Sequence, residues 1–147
     1  MYYSFVYPYL IYGNEIWGGT YECHINPLIL LQKKIVRIIT GSDYLAHSDQ
    51  LFKRTKILQI KDIHKYRIAT RIYKMNDGNT INPPNHDYNT RNANDMTATY
   101  QRLTKTQRTV SHFGPRLWNT IPPEIRNSKT ISQFKIQYKK FLIDTHA

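Results

Sequence analysis

Three segments, near residues 27–40, 60–75 and 131–143, repeat apolar side chains every three to four positions. This spacing is typical of helices that bury one face and expose the other. It predicts a mainly α fold of short amphipathic helices. Four shorter helices are predicted at residues 2–12, 48–54, 115–120 and 123–127, and prolines mark the start of the last two.

The boundaries of the first and last long helices have recognisable signals. Asn26 can cap the first, Pro27 suits its first helical position, and Gly41 can end it. The last begins at Thr130, with Gln133 three residues later, which is the spacing of a capping box. The side chains expected to face inward are Leu28, Leu31, Ile35, Ile38 and Ile39 in the first helix; Ile60, Ile63, Ile68, Ala69 and Ile72 in the second; and Ile131, Phe134, Tyr138, Phe141 and Leu142 in the last.

A polar segment interrupts the helical pattern in the middle of the chain. Seven asparagines and a Pro-Pro pair lie between residues 76 and 94, a composition typical of a long loop. Apolar and polar residues then alternate loosely, which predicts a small two-stranded β-ribbon near residues 97–113. The expected division is a basic helical half at 1–77, an Asn/Pro-rich loop at 78–96, and a ribbon with C-terminal helices at 97–147.

Aromatic residues are concentrated at the start of the sequence, where residues 1–17 contain seven of them. Each large side chain gains roughly 1.5 to 3 kcal/mol on burial, so this segment needs a packing partner. We therefore expect that the chain starts inside what was once a larger protein. Elsewhere, Tyr9, Tyr66 and Tyr138 are expected in a core, Trp118 as an anchor for the C-terminal helices, and Tyr88 and Tyr100 at the surface.

The charge of the chain limits its choice of partner. Twenty-one Lys and Arg residues against ten Asp and Glu give a formal net charge of +11. Eleven of the cations fall between residues 33 and 74, where only three acids occur. Helix faces of this kind bind phosphates by releasing counterions, whereas the alternative is a solvated face that binds nothing in particular. The candidate RNA- or DNA-binding residues are Lys33, Lys34, Arg37, Lys53, Arg54, Lys61, Lys65, Arg71, Arg91, Arg102, Arg108 and Arg116.

The sequence has no recognisable catalytic or metal-binding motif. Its ten acids are scattered singly, its six histidines lack ligand spacing, and Cys23 is its one cysteine. We therefore expect no cofactor, no metal site and no catalytic residue, and we expect His64 at the edge of its helix face. Since no apolar run is long enough to cross a membrane and no signal peptide is recognisable, we also expect an intracellular chain without a membrane partner.

Several strings, taken in order, resemble one family. The strings are, in chain order, Tyr2-Tyr3-Ser4-Phe5-Val6-Tyr7-Pro8-Tyr9-Leu10-Ile11-Tyr12-Gly13; Trp17-Gly18-Gly19; Leu31-Gln32-Lys33-Lys34 with Arg37-Ile38-Ile39; Tyr88-Asn89-Thr90-Arg91; and Gly114-Pro115-Arg116-Leu117-Trp118-Asn119 with Ile121-Pro122. The ordered set is similar to the segment that follows the polymerase core in reverse transcriptases of non-LTR (LINE-type, jockey-like) retrotransposons. It covers nearly the whole chain.

The resemblance implies a thumb-side, C-terminal portion that grips template RNA or target DNA. It also implies that the fingers, the palm and the Tyr-x-Asp-Asp turn with its metal-binding aspartates lie upstream, so no catalytic residue can be assigned here. One departure is the lack of the Cys/His knuckle that ends some of these proteins. The expected function is a transposable-element fragment of an RNA-directed DNA polymerase, inactive alone. The alternative is an interaction or structural module that docks on the missing core or another chain through its aromatic N-terminal segment.

Overall fold

The computed structural model describes residues 1–76, 95–98 and 100–145. Within these ranges the chain is helical and contains no strand, so the predicted mainly α fold is confirmed. The helices are α1 (Tyr2–Phe5), α2 (Tyr7–Ile11), α3 (Asn14–Trp17), α4 (Glu22–Thr40), α5 (Ser48–Thr55), α6 (Ile60–Asn76), α7 (Thr104–Gln107), α8 (Val110–Asn119), α9 (Pro123–Arg126) and α10 (Ile131–Thr145).

The predicted β-ribbon is wrong for the described part of residues 97–113, which holds α7 and the start of α8. Hydrogen bonds to near neighbours explain the difference. The Thr106 hydroxyl donates to the Leu103 carbonyl at 2.7 Å, and the Thr109 hydroxyl donates to the Thr106 carbonyl at 2.6 Å. Such local bonds close helical turns in place of a ladder between strands.

Two helices begin earlier than their prolines predict. Pro27 and Pro115 were each expected at a helix start, but each is the sixth residue of its helix, α4 or α8. A proline at this position removes one intrahelical hydrogen bond, which makes it unfavourable there. The residues before each proline are nevertheless held in helical geometry, because Ile25 and His112 are buried.

The other helices follow the prediction closely, apart from α3 and α7, which were not expected. The segment predicted at 2–12 forms α1 and α2 with a break at Val6. The Thr130 hydroxyl accepts a hydrogen bond from the backbone N–H of Gln133 at 3.3 Å, as expected for the first half of a capping box. The predicted inner residues of α6 are all buried, and those of α10 are buried or half-buried.

The prediction for α4 is wrong for Leu31, Ile38 and Ile39, which are exposed, whereas Leu28 and Ile35 are half-buried. The buried residues of α4 are Ile25, Gln32 and Val36, whereas Leu31 and Ile38 are 54% and 78% exposed. The packed face is therefore turned away from the expected apolar stripe. The reason is that Gln32, a polar residue, occupies the centre of the packed face.

The chain divides into two compact units. Unit 1 comprises residues Met1–His64 and Tyr138–Ala147, and unit 2 comprises Lys65–Gln137. Both boundaries fall inside a helix, α6 in one case and α10 in the other. The predicted three-part division stays a prediction, because residues 78–94 of its loop lie outside the described part of the chain.

Unit 1 is built around an apolar cluster and the buried, hydrogen-bonded amide of Gln32. The cluster contains Tyr2, Val36, Leu51, Phe52 and Ile57. The amide belongs to Gln32: its nitrogen donates to the Tyr2 hydroxyl at 2.8 Å and the Leu58 carbonyl at 2.9 Å, and its oxygen accepts from the Ile60 backbone N–H at 3.0 Å. Gln32 therefore ties α1, α4 and the start of α6 together.

Unit 2 is built around an aromatic stack. The Tyr73 and Phe134 rings lie 4.6 Å apart with an angle of 21° between their planes, and the Trp118 centroid is 5.7 Å from that of Phe134. Trp118 thus anchors the C-terminal helices as predicted. The Asn119 amide accepts from the Met96 N–H and donates to the Met96 carbonyl, both at 3.0 Å, which attaches residues 95–98 to α8.

Candidate nucleic-acid interface

The candidate cations of α4 lie on one side of that helix but differ in their availability. Lys34 is exposed and Lys33 is half-buried. The Arg37 Nε donates to the Ala46 carbonyl at 3.1 Å, and its guanidinium lies 6.0 Å from the centre of the Tyr44 ring. Arg37 therefore holds the connection between α4 and α5, and it is a weaker candidate for phosphate binding than Lys34.

The remaining candidates of unit 1 lie on α5 and at the start of α6. Arg54 is exposed, and Lys53 is half-buried beside a small cavity that Asp49 also lines. Lys61 forms a salt bridge with Glu22, and the hydrogen bond from Lys61 lowers the pKa of the Glu22 carboxyl. Part of the positive charge of unit 1 is thus engaged with its own acids and carbonyls.

The strongest basic surface in unit 2 is a stripe on α6. Arg67, Arg71 and Lys74 are four and three residues apart, so they follow one another along one face of the helix. Arg71 and Lys74 are exposed and Arg67 is half-buried, while Ile68 and Ile72 point into the core. The sequence has no acid from residue 63 to residue 76. The stripe spans about 10 Å, roughly three nucleotides along one strand.

The other candidates of unit 2 are dispersed. Arg102 is exposed before α7, Arg108 is half-buried at the end of α7, and Arg116 is exposed on α8. Lys65 is half-buried on α6. Arg91 lies outside the described residues. The structure thus places these side chains on separate elements, whereas the α6 face forms a continuous row among the described residues of this unit.

The candidate list drawn from the sequence omits two residues of this row, Arg67 and Lys74. Both belong to the eleven cations counted between residues 33 and 74, and their spacing from Arg71 was readable as one helix face. Tyr100, expected at the surface, is 89% exposed. Tyr9, expected in a core, is 81% exposed, and Tyr88 lies outside the described residues.

Two ionisable residues of α6 are buried, contrary to their expected positions. Asp62 is 1% exposed and His64 is 5% exposed. His64 Nδ1 donates to the Asn14 carbonyl at 2.9 Å, and burial lowers the pKa of its imidazole. Burial also raises the pKa of Tyr138, with a smaller contribution from the Asp62 charge. These groups lie in the interior of unit 1, where Asp62 lines the same small cavity as Lys53.

The described residues contain no cluster of three or more His, Cys, Asp or Glu side chains that could hold a metal ion. Among the helices of residues 1–76 and 100–145, none is long and apolar enough to cross a membrane. Comparison with protein-family models, curated proteins and solved structures found no match. The function is therefore inferred from the surface chemistry of the chain.

That chemistry suits phosphate groups. Lys and Arg on an exposed helix face attract a polyanion and release its counterions, without reading its sequence. Unit 2 contains twelve Lys and Arg against four Asp and Glu, a net charge of +8, whereas unit 1 contains nine against six, a net charge of +3. The α6 stripe lies in the unit with the larger excess.

Proposed function

We propose that the chain binds RNA or DNA through basic helix faces, and that the row Arg67, Arg71 and Lys74 in unit 2 is the main contact. The observation that carries this proposal is a cationic row, with Arg71 and Lys74 exposed and Arg67 half-buried, on a helix segment without acids in a unit whose net charge is +8. Such a row tracks a phosphate backbone and contributes affinity without base specificity.

We further propose that the chain derives from the thumb-side and C-terminal portion of a non-LTR retrotransposon reverse transcriptase. The support is the ordered set of strings in the sequence, from Tyr2–Gly13 to Gly114–Asn119. Gly114, Leu117 and Trp118 of the last string are buried in unit 2, which suggests that this string serves folding. Arg116 of the same string is exposed and remains a candidate phosphate ligand.

The proposed fragment does not polymerise DNA by itself. The sequence contains no Tyr-x-Asp-Asp string, and its acids do not occur in pairs. Two-metal phosphoryl transfer needs paired carboxylates to hold the ions. The role left to the chain is therefore to hold nucleic acid rather than to extend it.

Binding of the purified chain to a structured RNA and to a primer–template duplex, measured over a salt series, tests the proposed activity. Each phosphate contact contributes about 0.9 to the slope of log affinity against log salt on duplex DNA. We expect a slope of about 3 or more. Weak binding with a flat slope would contradict the proposal.

The proposed origin has a separate test in the genomic DNA directly upstream of the coding sequence. We expect an intact or broken reading frame that encodes polymerase motifs, including a Tyr-x-Asp-Asp string. Upstream DNA without any polymerase-like sequence would contradict the origin, and it would leave the proposed binding activity standing.

A further inference from the structure

An apolar groove lies in unit 1 between the N-terminal helices and α4. Phe5, Val6, Tyr9 and Leu10 form one wall, Leu28, Leu31 and Ile35 form the other, and Gln32 completes the lining. Its volume is about 240 Å³. Phe5 and Tyr9 are 68% and 81% exposed, and Leu31 and Ile38 continue the apolar surface along α4.

The one polar residue of the lining does not need a ligand. The Gln32 amide is already engaged with Tyr2, Leu58 and Ile60 through three buried hydrogen bonds. A ligand group that enters the groove therefore meets apolar carbon and gains by leaving water. The groove fits aliphatic or aromatic side chains presented in a row.

Among the described residues, no charged side chain lines the groove, and Lys34 of α4 is an exposed cation beside it. Helices α1 and α2 contain no charged side chain, and α4 carries Lys33, Lys34 and Arg37. The one acid of α4, Glu22, is bound to Lys61. Lys34 is three residues from Leu31 and four from Ile38, so it lies beside the exposed apolar surface.

We propose that this groove is a docking site for an amphipathic helix whose apolar face is flanked by acidic residues. A helix presents side chains at i, i+3, i+4 and i+7, which matches an elongated apolar groove between helices. An acidic residue at its edge would complement the exposed Lys34. This inference goes beyond the proposed nucleic-acid binding, because it concerns a different surface and a different class of partner.

Two other occupants fit the groove less well. A second copy of the chain would bring the same cationic α4 against this one, which is unfavourable for association. An anionic membrane would satisfy the charge, but a peripheral helix binds membranes with a projecting apolar face, whereas this surface is a concave groove. The concave shape and the exposed Lys34 beside it together favour an acidic helix.

The test uses the full chain and a fluorescent peptide that forms four helical turns, with leucines at i, i+3, i+4 and i+7 and glutamates elsewhere. Two control peptides have the same leucines and glutamates in scrambled order, or lysine in place of glutamate. We expect the first peptide to bind at least tenfold more tightly than either control, as measured by fluorescence anisotropy.

Two composition-matched double variants locate the site. Y9S/L31S removes one tyrosine and one leucine from the groove, and Y44S/L45S removes the same residue types from the connection between α4 and α5. Tyr9 and Leu31 are 81% and 54% exposed, and Tyr44 and Leu45 are 71% and 83% exposed, so both pairs lie at the surface. We expect at least a tenfold loss of peptide affinity for Y9S/L31S and less than a threefold loss for Y44S/L45S, with unchanged circular dichroism for both.

Several results would overturn the proposal. One is equal binding of the acidic and scrambled peptides, and another is equal peptide affinity of the two double variants. A dimer in sedimentation that Y9S/L31S dissociates would assign the groove to a second copy. Binding to phosphatidylcholine/phosphatidylserine vesicles that Y9S/L31S abolishes would assign it to a membrane.

Discussion

The two units of this chain differ in what they expose. Thirteen large apolar side chains of unit 1 are exposed, against four among the described residues of unit 2. Unit 2 has instead the larger excess of positive charge, +8 against +3. One polypeptide thus presents two surface chemistries, so a single partner class does not account for both.

The interiors of the units differ as well. Unit 1 packs around the hydrogen-bonded amide of Gln32, whereas unit 2 packs around the rings of Tyr73, Trp118 and Phe134. The contribution of a buried amide to stability depends on the geometry of its hydrogen-bond partners. The contribution of an aromatic stack depends on how well the rings fill the interior. Each unit should therefore respond to a different kind of substitution.

The largest expected effect is in the aromatic stack. Phe134→Ala removes a fully buried ring that contacts Tyr73 and Trp118, and it should destabilise unit 2 by about 3 to 5 kcal/mol. The matched control is Phe5→Ala, because Phe5 is 68% exposed. Hydrogen exchange measured on peptides from each unit should show the loss of protection in unit 2. Equal effects of the two substitutions would contradict this description of the core.

The next largest loss of stability is expected at the side-chain amide of Gln32 in unit 1. Gln32→Leu should cost about 2 to 4 kcal/mol, because the Tyr2 hydroxyl, the Leu58 carbonyl and the Ile60 N–H lose a buried partner. Gln50→Leu on α5 is the control, since Gln50 is exposed. Urea unfolding should separate the two variants clearly. Gln32→Leu with the stability of the control would show that the amide is dispensable.

A smaller loss of stability is expected when a glycine is replaced by alanine, and its size should differ between Gly18 of unit 1 and Gly114 of unit 2. A Cβ at Gly18 would lie 2.5 Å from the Asn14 carbonyl oxygen and would collide with the His64 ring. A Cβ at Gly114 would lie 2.8 Å from Cδ1 of Ile72, the end of a side chain that can shift. Gly18→Ala should therefore cost about 1 to 3 kcal/mol, and Gly114→Ala less. Thermal unfolding that ranks them in the opposite order would contradict these contacts.

The smallest effect is a pH dependence of unit 1. Burial lowers the pKa of His64 below its usual 6.5 in the folded chain. The unfolded chain then binds the proton more readily, so stability is full above about pH 6.5 and falls as the pH drops toward the folded pKa. His64→Phe should weaken this dependence, while His24→Gln at an exposed site should not. An identical dependence of unfolding free energy on pH for wild type and His64→Phe would contradict a contribution of His64 protonation to stability.

Sequence reasoning succeeded where apolar periodicity and packing agreed. The inner residues of α6 and α10 and the role of Trp118 follow from spacing alone, because apolar faces were available to bury. It failed on α4, where Gln32 replaces an apolar residue at the centre of the buried face. Three partners distant in the sequence satisfy that amide, and no local pattern reveals them.

The candidate site was predictable in part. Net charge and helix spacing identified the cationic faces, and Lys34, Arg54 and Arg71 are exposed as a binding surface requires. The sequence could not show that Arg37 binds the Ala46 carbonyl or that Lys61 pairs with Glu22, because these contacts join different elements. The groove was equally hidden, since one wall comes from α4 residues that spacing had assigned to the core and the other comes from separate N-terminal helices.

The most direct test of the account compares two charge-matched double variants in nucleic-acid binding. R71Q/K74Q removes one Arg and one Lys from the exposed face of α6 in unit 2, and R54Q/K34Q removes the same residue types from exposed positions in unit 1. On duplex DNA, R71Q/K74Q should lower the salt slope by about 1.8, at about 0.9 per lost phosphate contact, and R54Q/K34Q should lower it by less. A larger loss for R54Q/K34Q, or an unchanged slope for R71Q/K74Q, would contradict the assignment of nucleic-acid binding to unit 2.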